Sequence, residues 1–124
     1  MSRLLLTLGV AGGGSAGAVT RFLVDGWLDA RSRGFPLGIL LINVTGSLLL
    51  GILGGLVLFH DAATAWQVVL GTGYCGGFTT FSTTSFASVR LAQGGSPVLA
   101  AVNVLGTLLL TVSAATAGLL LAAL

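Results

Sequence analysis

From Gly38 to Phe59 the chain carries no ionisable side chain, and from Pro97 to Ala123 it again carries none. Roughly 20 apolar residues in a helix match the hydrocarbon thickness of a bilayer, so each run is long enough to span one. Two more apolar segments, near 4–24 and 66–91, have comparable length. A soluble domain carries about 25% charged residues. Here only 6% of the 124 residues are charged and the mean hydropathy is +1.07. The connections, about 25–37, 60–65 and 92–96, are short and hold most of the charges and Pro36, and Pro97 directly follows the last of them. The pattern predicts an all-α membrane protein. It forms one domain over residues 1–124, with four transmembrane helices over about 4–24, 38–59, 66–91 and 97–123 and no room for a soluble domain.

The charges are five Arg and three Asp, with neither Lys nor Glu. No basic stripe of the kind that binds nucleic acid is present. A lone cysteine, Cys75, excludes an intrachain disulfide or a cysteine metal cluster and reads as a small buried residue. No nucleophile–base pair or phosphate-binding loop appears, so soluble enzyme chemistry finds no support. The start of the chain has features of a cleavable leader, with Arg3 before an apolar stretch and small residues over 15–18. Its apolar run continues past that point to Val24, so a retained first span is expected.

The third segment is the unusual one. Gly71, Gly73, Gly76 and Gly77 fall within seven residues, and Thr79, Thr80, Ser82, Thr83, Thr84, Ser85 and Ser88 follow. Glycine weakens a helix by about 1 kcal/mol relative to alanine. Non-helical backbone at membrane depth survives only where it is buried in protein or lines a polar cavity. A glycine break feeding a hydroxyl-lined half-helix therefore predicts a binding site or pore near the midplane. The plainer alternative is a kink whose hydroxyls bond back to carbonyls one turn earlier.

Other polar residues are sparse. Arg21 lies inside the first segment with Asp25 one turn on, and an Arg–Asp pair is the default expectation. An anion-attracting vestibule is the sharper reading. Asn43 is the only amide in the second segment; it either bonds across helices or presents its NH2 to an anion. His60, without a second ligand nearby, reads as interfacial. Small residues at four-residue spacing, Gly13/Gly17, Gly51/Gly55 and Ala114/Gly118, predict close helix packing, either between subunits of a dimer or within one.

Taken together, these residues resemble the Fluc (CrcB) family of small fluoride channels. GGGSAGAVTRF (12–22), FPLGILLINVTGSLLLG (35–51) and GYCGGFTTFST (73–83) match its patterns in order along nearly the whole chain. The resemblance implies an antiparallel dimer of four-helix subunits with the third helix broken near the midplane. It implies a fluoride-selective passive channel in the plasma membrane (the inner membrane in bacteria) that releases cytoplasmic fluoride. It also implies a structural sodium ion at the dimer centre, held by the backbone carbonyls of Gly76 and Thr79 from each subunit. Asn43, Phe81, Ser82, Thr83 and Thr84 would border the fluoride pathway, with Phe81 offering its ring edge and Arg21 in the vestibule. Neutral donors suit this ion, because conduction needs binding weak enough to release it, and an aromatic edge adds a weak attraction.

Three positions depart from the family pattern. Thr84 replaces a second pore phenylalanine, Asn103 stands near the usual tyrosine of the fourth helix, and Ile39 follows the glycine that threonine usually follows. Phe86 does not replace the missing ring, since five residues turn the helix roughly 140° from Phe81. Arg31, Arg33 and Arg90 share one side against Arg3 on the other, which by the positive-inside rule favours both termini outside. Both a homodimer and a heterodimer with an oppositely oriented paralogue follow as expectations. A half-conducting or non-conducting subunit, and a small multidrug-type exporter, are the rival functions. The exporter needs an intramembrane carboxylate, and the three Asp lie at segment ends.

Overall fold

The computed structural model describes residues 2–32 and 34–124. Arg33, one of the charges used above to orient the chain, lies outside them. The described residues form helices α1 (Arg3–Asp29), α2 (Leu37–His60), α3 (Thr64–Trp66), α4 (Gly76–Phe78), α5 (Phe81–Gln93) and α6 (Pro97–Ala122), with a π-helical stretch, Gln67–Cys75, between α3 and α4. No strand occurs among them.

Two helices, α2 and α6, are long and apolar enough to cross a membrane, with mean hydropathy 2.1 and 2.0. α1 is 27 residues long, but its glycines and Arg21 dilute its apolar character. Ser2 caps α1 by accepting from the Leu5 N–H at 3.3 Å, and Pro97 occupies the first turn of α6, where its missing N–H costs nothing.

The helices pack backbone to backbone through small residues. α2 meets α6 where Gly51 lies on the Ala115 carbonyl and Gly118 on the Leu48 carbonyl. α1 meets the π-helical stretch where Gly17 lies on the Tyr74 carbonyl, and meets α4 where Gly77 lies on the carbonyl of Gly14. Of the two readings of the small-residue spacing, these contacts place it within one chain. His60, read as interfacial, donates from Nε2 to the Ala122 carbonyl at 2.7 Å and ties the end of α2 to that of α6. Ile39, Ile42 and Phe78 form the buried apolar cluster, with Val24 and Tyr74 packed against it. Most other large apolar side chains, Phe22, Leu58 and Leu109 among them, face outward, as lipid-facing side chains do.

One expectation is corrected here. The four glycines do not unwind the backbone: Gly71 and Gly73 are π-helical, and Gly76 and Gly77 belong to α4. The use of Gly71, Gly73 and Gly77 is close approach. A Cβ on Gly73 would stand 2.9 Å from the Val10 carbonyl, and one on Gly71 3.0 Å from Leu50. The interruption comes two residues later, at Thr79 (φ −79°, ψ 159°) and Thr80 (φ −152°, ψ 125°).

Candidate functional site

Two extended residues inside an otherwise helical course leave backbone groups without helical partners, and each must find another. Polar side chains take these places. The Thr80 N–H, which in a continuous helix would bond the Gly76 carbonyl, donates to Asn43 Oδ1 at 2.8 Å. Asn43 Nδ2 donates back to the Thr80 carbonyl at 3.0 Å. This reciprocal pair fixes the amide orientation, since the flipped form would set donor against donor. The Thr83 N–H, the helical partner of the Thr79 carbonyl, instead meets Thr80 Oγ1 at 3.3 Å, making Thr80 the N-cap of α5. The carbonyls of Gly76 and Thr79 are thus the two that lose their α-helical donors to side-chain capture. Thr79 also bonds back to the Cys75 carbonyl through both its N–H and its hydroxyl.

From this knot a buried chain of hydrogen bonds runs to α6. Asn43 Nδ2 donates to Thr84 Oγ1 at 2.9 Å, and the Thr84 hydroxyl donates to the Thr80 carbonyl at 3.2 Å. Ser88 donates to the Thr84 carbonyl at 2.8 Å. Asn103, 2% exposed, donates to Ser88 Oγ at 2.9 Å and to the Thr84 carbonyl at 3.4 Å. The departures at positions 84 and 103 therefore belong to one network. Ile39, the third, is buried in the apolar cluster.

The hydroxyl-rich stretch divides into two groups. Thr79, Thr84, Ser85 and Ser88 bond to the carbonyl four residues earlier, which is the plainer reading of them. Ser82 and Thr83 do not; they cluster around Thr80 Oγ1, each 3.2 Å away. Phe81 is 87% exposed and borders a cavity of about 730 Å³ that Asn43, Ser47, Thr72, Thr79, Thr84 and Thr107 also line. Thr107 Oγ1 is buried there with no partner. The ring of Phe86 sits under the Arg90 guanidinium at 5.9 Å, away from this cavity's lining residues.

Arg21 departs from its expected pairing. Its Nη1 donates to the Thr79 carbonyl at 3.2 Å, while Asp25 packs over the start of α2, where a Cβ on Gly38 would lie 2.7 Å from Asp25 Oδ1. Asp25 lies just beyond the apolar run of α1. Burial raises its carboxyl pKa, Asp29 adds to the rise and Arg21 opposes it. Sequence reasoning missed Thr80 as the hub of the site. The signal present was a threonine three residues before another polar residue at the head of a helical run, which is an N-cap pattern.

Asn43, Phe81, Thr84, Gly76 and Thr79 thus all border one cavity, with Ser82 and Thr83 bonded around Thr80 on its wall. The family described as CrcB-like protein, Camphor Resistance (CrcB), matches residues 8–119. The Fluoride-specific ion channel FluC 1 of Leifsonia xyli subsp. xyli is 46% identical over 116 residues, covering 93% of this chain and 85% of that protein. The Fluoride-specific ion channel FluC of Syntrophotalea carbinolica is 49% identical over 111 residues, 86% of each chain. That of Pyrococcus abyssi is 40% identical over 111 residues, 89% of each. With its apolar helices, its helix interruption and this extent of identity, the chain belongs to the CrcB family of membrane proteins.

Proposed function

We propose that the chain is a fluoride-selective passive ion channel, not an enzyme, and that it lets cytoplasmic fluoride leave the cell down its gradient. The observation that carries this reading is the polar wall across the α4–α5 interruption, built from neutral hydrogen-bonding groups beside the cavity. A fixed cation in a narrow pore would hold a small anion too tightly to conduct, and the polar side chains that line the cavity are hydroxyls and the Asn43 amide, with no Arg among them. Relatives that carry the fluoride-channel name align with nearly all of the chain. The pathway follows the groove bordered by Asn43, Phe81 and Thr84, with Ser82 and Thr83 bonded to Thr80 beside it, and Arg21 supplies positive potential toward its mouth. Fluoride efflux from liposomes carrying the chain, with chloride as control anion, tests this.

The full assembly is a dimer of antiparallel four-span subunits in the plasma membrane, with the interruption of the third span near the midplane. The exposure of Phe81 beside the cavity supports a second subunit over that face. A sodium ion at its centre fits the donor set, because the carbonyls of Gly76 and Thr79 have both lost their α-helical donors, and hard cations take oxygen ligands. When bound, the ion would supply positive charge to these carbonyls and clamp the two interruptions together. The chain's own contribution is to hold the carbonyls in place through Asn43, Thr80 and Arg21.

A second reading has a specific observation behind it. Thr84, at a position where the family pattern places a phenylalanine, lines the groove with a hydrogen-bonded hydroxyl and offers it no aromatic edge. A heterodimer with an oppositely oriented paralogue, in which this chain supplies one altered wall, accounts for that.

A further inference from the structure

The Asn43 amide has two N–H groups and one carbonyl, and all three are engaged within the chain. Oδ1 accepts from the Thr80 N–H at 2.8 Å, one Nδ2 hydrogen goes to the Thr80 carbonyl at 3.0 Å, and the other goes to Thr84 Oγ1 at 2.9 Å. The first two bonds are required by the interrupted backbone. The third is not, because it exists only where residue 84 brings an oxygen. Asn43 is 6% exposed and Thr84 8%, yet both line the cavity, so the hydrogen that Thr84 accepts lies at the cavity wall.

We infer that Thr84 is a positioning residue that holds the second Asn43 N–H and so withholds it from an anion in the groove. The inference rests on the fluoride reading of that groove. A phenylalanine or valine at position 84 has no acceptor, and a buried N–H without a partner is costly. Such an N–H would seek water or an anion from the cavity. Thr84 satisfies it internally instead, and its own hydroxyl hydrogen is spent on the Thr80 carbonyl at 3.2 Å. Asn103 keeps this arrangement in register. Its two donations, to Ser88 Oγ and to the Thr84 carbonyl, hold α5 where Thr84 Oγ1 meets the amide. On this wall, Asn43 therefore braces the backbone and does not act as an anion ligand.

Asn43 and Asn103 are the chain's only asparagines, so labelling with ¹⁵N-asparagine gives two side-chain amide signals. Asn43→Gln identifies which belongs to Asn43. Sodium fluoride is titrated into the full-length protein in detergent micelles, with sodium chloride as control, and fluoride efflux from liposomes is measured on the same variants. The Asn43 signal of the unaltered chain stays unmoved by fluoride. In Thr84→Val, nearly isosteric but without the acceptor, it shifts saturably with fluoride and efflux rises several-fold. In Thr84→Ser, which retains an acceptor, the signal stays at its original position. A fluoride-dependent Asn43 shift in the unaltered chain would overturn the inference, and normal fluoride efflux in that sample would leave the channel reading standing. Efflux in Thr84→Val no faster than in the unaltered chain overturns it as well. The titration of the unaltered chain decides the matter even if Thr84→Val fails to fold.

Discussion

Asn43 and Thr80 exchange two hydrogen bonds across 37 residues of sequence, N–H to Oδ1 at 2.8 Å and Nδ2 to carbonyl at 3.0 Å. The amide imitates the backbone neighbour that a helix would have provided. Without it the interruption at Thr79 and Thr80 would bury an unpaired donor, the Thr80 N–H, and leave the Thr80 carbonyl only its bond from the Thr84 hydroxyl. That makes Asn43 the residue on which the site's geometry depends.

Asn43→Leu removes both partners at once. An unsatisfied buried group costs about 1–3 kcal/mol, and the Thr80 N–H becomes one, while its carbonyl keeps the Thr84 hydroxyl. Folded protein is expected to fall by about 1–3 kcal/mol in stability, read from denaturant unfolding in detergent. Asn43→Asp keeps the acceptor for the Thr80 N–H but loses both donations and adds a negative charge at the groove. It should lose fluoride efflux, and with an acceptor now set against the Thr80 carbonyl it should gain no stability from the kept bond. Equal stability of Asn43→Leu and the unaltered chain would show that Thr80 is satisfied some other way.

Glycine contacts give a second, independent expectation. A side chain at Gly17 would run into the Tyr74 carbonyl, and one at Gly51 into that of Ala115. Gly17→Ala and Gly51→Ala should each cost about 1–3 kcal/mol through forced helix separation. Gly12→Ala and Gly54→Ala meet nothing within 4 Å. They should be neutral or stabilising by up to about 1 kcal/mol. Thermal melts of the four variants in one detergent separate the groups, and indistinguishable melting temperatures would contradict the packing described here.

How far the sequence discloses this arrangement depends on which kind of interaction is asked about. Apolar run length marks the long helices, because bilayer thickness fixes it. The glycines announce close packing, but their weak helix propensity points to the wrong place for the interruption: tertiary contact with α1 keeps Gly73 and Gly77 helical. The interruption belongs to Thr79 and Thr80, whose side chains and neighbours supply the missing bonds. The Asn43–Thr80 and Asn103–Ser88 pairs join residues 37 and 15 apart, and no local pattern encodes such partners. Arg21 shows the same limit. Helical spacing favours Asp25, yet the chain crossing brings the Thr79 carbonyl nearer its guanidinium.

Asn103→Leu tests the link between α5 and α6. It leaves Ser88 Oγ without its 2.9 Å donor while Ser88 keeps its own bond to the Thr84 carbonyl. The expected loss is about 1 kcal/mol, the net value of an ordinary hydrogen bond. Because the two sites share one network, the double variant Asn43→Leu/Asn103→Leu should lose less than the sum of the single changes. Strict additivity in a double-mutant cycle would deny that the bonds form one network.

Sodium removal addresses the Gly76 and Thr79 carbonyls, the second of which also accepts from Arg21. If Gly76 and Thr79 hold the ion, replacing sodium with a large organic cation should lower the melting temperature of the dimer and shift it toward monomer. Light scattering on size-exclusion chromatography reads the second effect. Arg21→Gln, which removes the guanidinium from the Thr79 carbonyl, should leave a sodium dependence in place and change its midpoint. A melting temperature indifferent to sodium would contradict the proposed metal role.

Fluoride efflux from liposomes reconstituted with this chain alone, followed by a fluoride electrode against a chloride control, tests the central claim most directly. The account predicts efflux of fluoride but not chloride, abolished by Asn43→Asp and diminished by Phe81→Ile. Well-folded dimer that passes neither ion, alone or with an oppositely oriented paralogue, would contradict it.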